Sequence, residues 1–203
     1  MNFLAHTYLS GSFSDIMVGN FIADAVKGNT IKQYSEEIIQ GIMLHRKIDE
    51  YTDAHDVFRQ VSNAIKPYFN RYSGVVVDIY FDHYLAVNWS MYSSTPLNRY
   101  VKKVYALMSK NFSILPVRIQ RILPAMISQN WLENYAHFDD LQQVFNAMVK
   151  RANFTSNMEK GVEILKAYYA DFQLSFNEFF PQIVDYIKEE QEKPVCVAEE
   201  WYF

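Results

Sequence analysis

The sequence predicts an all-α fold, a single-domain helical bundle, and three observations support this. Glycine and proline are scarce, with six of each among 203 residues, which favours long helices over a turn-rich β architecture. Apolar residues recur at the three- and four-residue spacing of a helix along most of the chain. Half of the residues are hydrophobic, which at this length is enough for one sizeable core.

The predicted elements of the first half are an apolar segment at 2–10, a helix between Ser14 and Gly28, a helix from Ser35 through 41–55, a helix at 55–69 and a helix at 72–92. Ser14 has the residue type of an N-cap, and Gly28 that of the residue just past a helix. We expect the helix at 55–69 to break near Pro67. The helix at 72–92 is apolar on nearly every side, so it is predicted to be central.

The predicted elements of the second half are a helix from Thr95-Pro96 to about Ser109, two helices through Ala152, a long helical pattern from about Ser156 to Lys188 and a tail at 191–203. Pro116 and Pro124 are expected to mark helix starts or kinks, and Pro181 a kink or break. No linker composition divides the chain, so residues 1–190 are predicted to form one domain.

Composition excludes several classes of protein. The single Cys196 rules out an intrachain disulfide and a cysteine-based zinc site, and it fits a reducing cytoplasm. No apolar run approaches the roughly 18 residues of a membrane span, and the first residues lack the basic region of a signal peptide. The net charge of −4 argues against general nucleic-acid binding. We therefore expect a cytoplasmic protein without a membrane or nucleic-acid partner.

A row of polar side chains marks the segment at 41–55. His45, Asp49 and Asp53 follow one another at four-residue steps, so on a helix they lie on one face. Arg46 is turned to a different face. An imidazole and two carboxylates in one row indicate a metal site or an acid–base site.

Two further apolar helices carry acidic residues at helical spacing. Asp24 lies on the helix before the row, and Asp78, Asp82 and His83 lie on the helix after it. Burying unpaired carboxylates costs several kcal/mol each, and few cationic residues are close in sequence. One or two divalent ions would compensate the charge, with Mn, Fe, Zn or Mg suited to histidine nitrogen and aspartate oxygen.

Some of these polar residues also have purely structural interpretations. His6 could be an ordinary core histidine, and Asp78 could cap a helix or pair with a tyrosine. Asn20 could hold a neighbouring helix through its amide. His55, followed by Asp56, could be an N-cap residue at a helix junction.

A second signal is the distribution of charge. The span 84–132 contains no Asp or Glu but six Lys and Arg residues, for a net charge of +6 against −10 in the remainder. This span is either an ordinary solvated basic face or a docking surface for a polyanion. With tyrosine and leucine between the cations, an acidic protein helix suits it as well as a nucleic acid does.

Four segments together resemble one known family. In this order, MNFLAHTYLS, VGNFIADAVKGN, GIMLHRKIDEYTDAH and DIYFDHYLAVNW are similar to the acyl carrier protein phosphodiesterases. The resemblance is strong over the first ninety residues and weaker through the helices that follow. That family is in turn similar to the histidine–aspartate phosphohydrolase superfamily of all-α, metal-dependent enzymes.

The resemblance implies manganese-assisted hydrolysis of the phosphodiester that joins 4′-phosphopantetheine to the serine of holo acyl carrier protein. The products would be apo carrier protein and free 4′-phosphopantetheine. Carrier proteins are strongly acidic, which the acid-free span at 84–132 would suit. The superfamily's adjacent His-Asp pair has no obvious counterpart, because relatives of this chain commonly carry proline at the position of Asp56, and the reversed pair Asp82-His83 could replace it.

Roles are therefore predicted from packing. The metal ligands are expected to be Asp24, His45, Asp49, Asp82 and His83. Proton transfer or orientation is expected from His6, Asp53 and Asp78. Substrate contacts are expected from Asn20, Arg46, Arg99, Lys102 and Lys103. The alternative functions are hydrolysis of a nucleotide or other small phosphodiester on the same scaffold, and a non-catalytic helical binding module.

Overall fold

A computed structural model of the chain describes residues 1–150 and 152–192, and all regular structure in these ranges is helical. The α-helices are α1 (Phe3–Leu9), α2 (Asp15–Ile22), α3 (Glu36–Ala54), α4 (Asp56–Phe69), α5 (Ser73–Val87), α6 (Trp89–Tyr92), α7 (Leu97–Lys110), α8 (Val117–Ser128), α9 (Trp131–Asn134), α10 (Phe138–Val149), α11 (Gly161–Ala167) and α12 (Tyr169–Glu192). Short 3-10 helices occupy Ala23–Ala25, Gly28–Gln33, Asn70–Tyr72, Phe112–Ile114 and Met158–Lys160. The predicted all-α, single-domain fold is confirmed.

Helix α5 lies at the centre of the core, as its apolar sequence predicts. It packs against α1, α4 and α12, and Tyr80, Phe81 and Tyr84 on it are fully buried. The two buried tyrosine hydroxyls donate to main-chain oxygens, Tyr80 to Gly161 and Tyr84 to Tyr169, each at 2.7 Å. These bonds satisfy the polar ends of large apolar side chains and tie α5 to the C-terminal helices.

Helices α2 and α3 cross at very close range because each has a glycine at the crossing. A Cβ atom added to Gly19 would lie 2.0 Å from the carbonyl oxygen of Ile38, and one added to Gly41 would lie 2.0 Å from that of Ile16. Only a residue without a Cβ fits such an approach of two backbones. The crossing brings the end of α2 against the middle of α3, where His45 lies.

The break predicted near Pro67 falls two residues beyond it, and a break of the helix at Pro181 is wrong. Helix α4 continues through Pro67 and ends two residues later, where Asn70 has a φ of 51°. Helix α12 continues through Pro181, and the long C-terminal pattern breaks at Tyr168 instead. A proline costs a helix about 3 kcal/mol, and the burial of aromatic side chains next to Pro181, such as Phe180, offsets that cost.

Other predicted boundaries shift slightly. Helix α2 begins directly after Ser14, whose side chain makes no capping bond, and ends at Ile22 before a 3-10 turn. Helix α7 begins at Leu97 with Pro96 at the N-cap position, one residue later than the expected start at Pro96. Helix α12 extends to Glu192, and the rest of the predicted tail lies outside the described residues.

Within the ranges that the structure describes, no helix is both long and apolar enough to cross a membrane. The cytoplasmic location stays a prediction.

Candidate metal centre

Three neighbouring elements bring two imidazoles and two carboxylates together. His6 comes from α1, Asp24 from the 3-10 turn after α2, and His45 and Asp49 from α3. The two imidazole rings are stacked, with their centroids 3.9 Å apart and their planes at 16°. His6 and His45 are buried, whereas the side chains of Asp49 and Asp24 are 41% and 74% exposed. The cluster therefore opens to solvent on the side of Asp24.

The distances suit a shared cation. Asp49 bridges the two rings, with Oδ1 at 3.2 Å from Nε2 of His6 and Oδ2 at 3.2 Å from Nε2 of His45. Asp24 Oδ1 lies 3.4 Å from Nε2 of His45. Potential ligand atoms of His6, His45 and Asp49 all lie within 4.8 Å of one another. Donor atoms that each lie about 2.1 Å from one ion are about 3–3.5 Å apart, which is the spacing found here between each ring nitrogen and its carboxylate oxygens.

The amide of Asn20 fixes which nitrogen of each ring carries the proton. Its nitrogen donates to the carbonyl oxygen of His6 and to Oγ of Ser10, both at 2.9 Å. Its oxygen therefore faces the rings and accepts from Nδ1 of His6 at 2.9 Å and from Nδ1 of His45 at 3.0 Å. The main-chain oxygen of Asn20 is a second acceptor for Nδ1 of His45, at 2.9 Å. Both rings carry hydrogen on Nδ1, so the neutral form of each has a lone pair on Nε2.

The Nε2 lone pair of His6 faces oxygen atoms. Nε2 of His6 lies 3.2 Å from Asp49 Oδ1 and 3.1 Å from the carbonyl oxygen of Met1, and all three atoms are acceptors when the ring is neutral. Burial lowers the pKa of His6 to about 4, since the opposing effect of its hydrogen bond to Asp49 is smaller. At neutral pH the ring thus lacks the proton that would relieve the repulsion. A divalent cation between these atoms would relieve it.

His45 and the two carboxylates stabilise one another's charged forms. Burial lowers the pKa of His45, but its hydrogen bonds to Asp24 and Asp49 outweigh that effect and raise the pKa to about 9. Burial raises the pKa of Asp49, but the two histidines more than reverse this and hold it well below its usual range. The hydrogen bond to His45 also lowers the pKa of Asp24. Both carboxylates are therefore ionised at neutral pH and available to a cation.

Replacement of Asn20 by alanine should weaken metal binding. The variant leaves Nδ1 of His6 without its acceptor and frees the ring to turn, so we expect the affinity for Mn²⁺ to fall about 10- to 100-fold. The unsatisfied buried donor should also lower the free energy of unfolding by about 1–3 kcal/mol. Metal titration and urea unfolding measure the two effects. Asn63→Ala, at an exposed position on α4, is the control, and unchanged metal affinity in Asn20→Ala would make Asn20 purely structural.

Asp78 and Asp82 hold the N-terminal segment that carries His6. Asp78 accepts from the amino group of Met1 at 2.8 Å, and that amino group lies 3.8 Å from Asp49. Asp82 is fully buried and accepts from the main-chain N–H groups of Leu4 at 2.8 Å and Ala5 at 3.2 Å. A carboxylate in this position stabilises the first turn of a helix. Both residues thus position His6.

The remaining predicted ligand, His83, lies outside the cluster. Its Nδ1 donates to the main-chain oxygen of Tyr135 at 2.8 Å, and its Nε2 accepts from the hydroxyl of Tyr169 at 3.0 Å. Both ring nitrogens are used in holding helices together, and both oxygens of Asp82 are used on α1. For this reason we propose neither Asp82 nor His83 as a metal ligand.

Three other predicted site residues, Asn20, Asp53 and Arg46, are not among the groups that face the open side of the cluster. Asn20 is fully buried, so its side chain contacts the two histidines and not a bound substrate. Asp53 is exposed one turn beyond Asp49. Arg46 is exposed, and its Nη1 lies 3.6 Å from Sδ of Met43, away from the cluster as its helical position predicts.

The predicted basic residues are on the surface. Arg99, Lys102 and Lys103 are exposed on α7, apart from the metal cluster. The ammonium group of Lys103 lies 5.4 Å from the ring centroid of Phe13, in the loop between α1 and α2. Their surface is therefore continuous with the loop that leads into α2.

A profile of the family described as acyl carrier protein phosphodiesterase matches residues 1–183. The chain belongs to this family. A member from Pectobacterium atrosepticum is 29% identical over 192 residues, which are 94% of this chain and all of the relative. One from Photorhabdus laumondii is 30% identical over 91% of this chain and 94% of the relative. Both relatives are named acyl carrier protein phosphodiesterase.

No solved structure matches the chain significantly. The similarity of this acyl carrier protein phosphodiesterase family member to the histidine–aspartate phosphohydrolase fold therefore stays a prediction. The familial resemblance predicted from the four sequence segments is confirmed.

Two residues of the cluster, His6 and Asn20, make contacts that the sequence did not predict. His6 was expected to transfer protons or orient groups, yet its Nε2 faces the same point as that of His45. Asn20 was expected at the substrate, yet it bridges the two rings. The available signal was that each is an isolated polar residue in an apolar stretch, which requires a buried partner.

Proposed function

We propose that this protein is a metal-dependent phosphodiesterase that releases 4′-phosphopantetheine from holo acyl carrier protein. The observation that carries the proposal is the convergence of two histidine Nε2 atoms on carboxylate and carbonyl oxygens at 3.1–3.4 Å, with Nε2 of His6 unprotonated at neutral pH. Such an arrangement suits a divalent cation better than an empty, metal-free cluster. Membership of the acyl carrier protein phosphodiesterase family supports the substrate.

The proposed ligand set is His6, His45 and Asp49, with Asp24 as a further oxygen donor on the open side. It keeps three of the five ligands predicted from sequence and replaces Asp82 and His83 by His6. Two imidazole nitrogens and carboxylate oxygens suit Mn, Fe or Zn, and we propose Mn²⁺ from the family resemblance. When bound, such an ion supplies positive charge beside the phosphoryl oxygens and lowers the pKa of a water molecule.

The side chains of the cluster divide the remaining work. Asp49 contacts both imidazoles and fixes their spacing, while Asn20 fixes their tautomers. Asp24 is the most exposed member, so it is the group that an approaching phosphodiester and the attacking water meet. Because it is ionised and lies on the open side, where the water approaches, we assign Asp24 the role of accepting a proton from that water.

Incubation of the protein with holo carrier protein and Mn²⁺ tests the proposed function. Intact-mass spectrometry should record loss of the prosthetic group and appearance of apo carrier protein, and free 4′-phosphopantetheine should accumulate in equal amount. A chelator should stop the reaction, and added Mn²⁺ should restore it. The same incubation with apo carrier protein is the control, which should show no change of mass.

A substrate panel separates the proposal from its nearest alternative. The panel contains holo carrier protein, nucleotides and small phosphodiesters, each with Mn²⁺, Fe²⁺, Zn²⁺ or Mg²⁺. Hydrolysis of a nucleotide with none of holo carrier protein would favour a different phosphohydrolase. Absence of hydrolysis and of stoichiometric metal binding would favour a non-catalytic helical module.

A further inference from the structure

The acid-free span at 84–132 also carries many of the exposed apolar side chains. In the part of the chain that the structure describes, eleven large apolar side chains are strongly exposed, and six of them lie within 84–132. This span makes up about a quarter of the described residues, so the enrichment is about twofold. Exposed apolar side chains rimmed by charge of one sign are typical of a protein interface.

The apolar side chains are concentrated where α7 meets α8. Phe112, Ile114 and Val117 are 41%, 42% and 60% exposed, whereas Leu115 between them is buried. The side-chain amide of Gln120 donates to the carbonyl oxygen of Phe112 at 3.0 Å, which ties the 3-10 turn to α8. We call the exposed group Phe112, Ile114 and Val117 the α7–α8 corner. Because Leu115 and this hydrogen bond anchor the turn, the corner is a built feature of the fold.

Cations continue from the corner along α7. Lys110, Arg118 and Arg121 are exposed beside it. Arg99, Lys103 and Lys110 are spaced so that they follow one face of α7, with Lys102 next to them, and all are exposed. The outward surface is therefore a cationic strip about 20 Å long, the length of a 14-residue helix, that ends at an apolar patch.

The inner side of α7 leads toward the metal cluster. The hydroxyl of Tyr105 on α7 accepts from the main-chain N–H of Leu132 on α9 at 3.0 Å. The main-chain oxygen of the neighbouring Tyr135 accepts from Nδ1 of His83 on α5 at 2.8 Å, so α7 and α9 are joined to α5, whose Asp82 holds the helix that carries His6. One helix is about 10 Å thick. A partner on the outward face of α7 is thus separated from α9 by about one layer of helix.

We infer that the outward face of α7 and the α7–α8 corner form the docking surface for an acidic, amphipathic helix of the carrier protein. The acidic side chains of that helix pair with the cations of α7, and its apolar side chains pack on Phe112, Ile114 and Val117. The inference rests on the proposed function for the identity of the partner. An acidic helix fits better than a nucleic acid because the patch at the end of the strip offers apolar contacts and the chain as a whole carries a net charge of −4.

Binding of apo carrier protein tests the inference without any hydrolysis. Phe112→Ser with Ile114→Ser should raise Kd at least tenfold at every salt concentration. Lys102→Glu with Lys103→Glu should raise Kd by a similar factor at low salt and flatten its salt dependence, because screening already weakens those contacts at high salt. Calorimetric titration at two ionic strengths measures both.

Matched changes on other surfaces are the controls. Phe154→Ser with Leu174→Ser alters apolar side chains that are 59% and 68% exposed, and Lys66→Glu with Lys160→Glu reverses two exposed charges outside the span. Both control variants should bind carrier protein as the unaltered protein does. An equal loss of affinity in a control variant would overturn the assignment of this surface.

The outcomes also separate the docking surface from the proposed reaction. Unaltered affinity in both docking variants overturns the inference, even if holo carrier protein is hydrolysed normally. Binding that is lost in these variants supports it, even if no prosthetic group is ever released, in which case the proposed function alone fails. A single-stranded RNA oligomer that binds as tightly as carrier protein, with the same sensitivity to the variants, would also overturn it.

Discussion

Replacement of His45 by alanine should abolish release of 4′-phosphopantetheine and remove the stoichiometric metal ion. His45 contributes the Nε2 atom that lies 3.2 Å from Asp49 and 3.4 Å from Asp24, so its loss leaves these carboxylates without the imidazole that joins them. We expect kcat/KM for holo carrier protein to fall at least about a thousandfold, which corresponds to about 4 kcal/mol of transition-state stabilisation. Mass spectrometry of the carrier protein and elemental analysis of the purified variant measure the two losses.

Two other histidine variants test whether the loss of activity and metal is specific to His45. His137 is exposed, so His137→Ala should keep full activity and its metal ion. His83→Ala should keep the metal ion while losing stability, because His83 joins α5 to Tyr135 and Tyr169. Loss of the ion in His83→Ala would favour the ligand set predicted from sequence, whereas normal metal content in His45→Ala would contradict both sets, since each contains His45.

The acidic residues of α3 show what helical spacing can predict. The four-residue step from His45 to Asp49 places both side chains on one face, and the structure brings Asp24 to them because α2 crosses α3 closely. Continuing the same step leads to Asp53, which is exposed. Helical spacing alone predicts which side chains share one face of a helix. It does not predict how far along that face another helix covers them.

The role of Asp82 could not be predicted from its surroundings in the sequence. Its apolar neighbours correctly indicate burial, and a buried carboxylate requires partners. The partners are the N–H groups of Leu4 and Ala5, which are main-chain atoms and leave no mark on residue type. Burial raises the pKa of Asp82 to about 7, with these hydrogen bonds opposing the increase.

The histidine tautomers could not be predicted from the sequence either. They depend on the orientation of one amide, that of Asn20, which is set by the carbonyl oxygen of His6 and the hydroxyl of Ser10. Each of these contacts joins residues of α1 to α2 and requires the tertiary structure. The residue types were visible as isolated polar groups, but the direction of each hydrogen bond was not.

Replacement of Gly41 by alanine should be among the most destabilising changes in the chain. The new Cβ would lie 2.0 Å from the carbonyl oxygen of Ile16 and 2.8 Å from the amide nitrogen of Asn20. Both are backbone atoms, so α2 must move away from α3 as a whole. Overpacking usually costs 1–3 kcal/mol, and because two backbones must separate we expect the free energy of unfolding to fall by more than about 3 kcal/mol. The roughly 1 kcal/mol that alanine gains over glycine in helix propensity is too small to compensate.

The same movement should weaken the metal centre, because it displaces Asn20 and Asp24 from His45. Urea unfolding followed by circular dichroism measures the stability, and metal titration measures the affinity, which should fall together with it. Gly74→Ala is the matched control, since a Cβ at Gly74 on α5 meets nothing within 4 Å, and it should be neutral or slightly stabilising. If Gly41→Ala instead unfolds within about 0.5 kcal/mol of the unaltered protein, a change typical of exposed positions, then the close crossing of α2 and α3 is not what holds Asn20 and Asp24 beside His45.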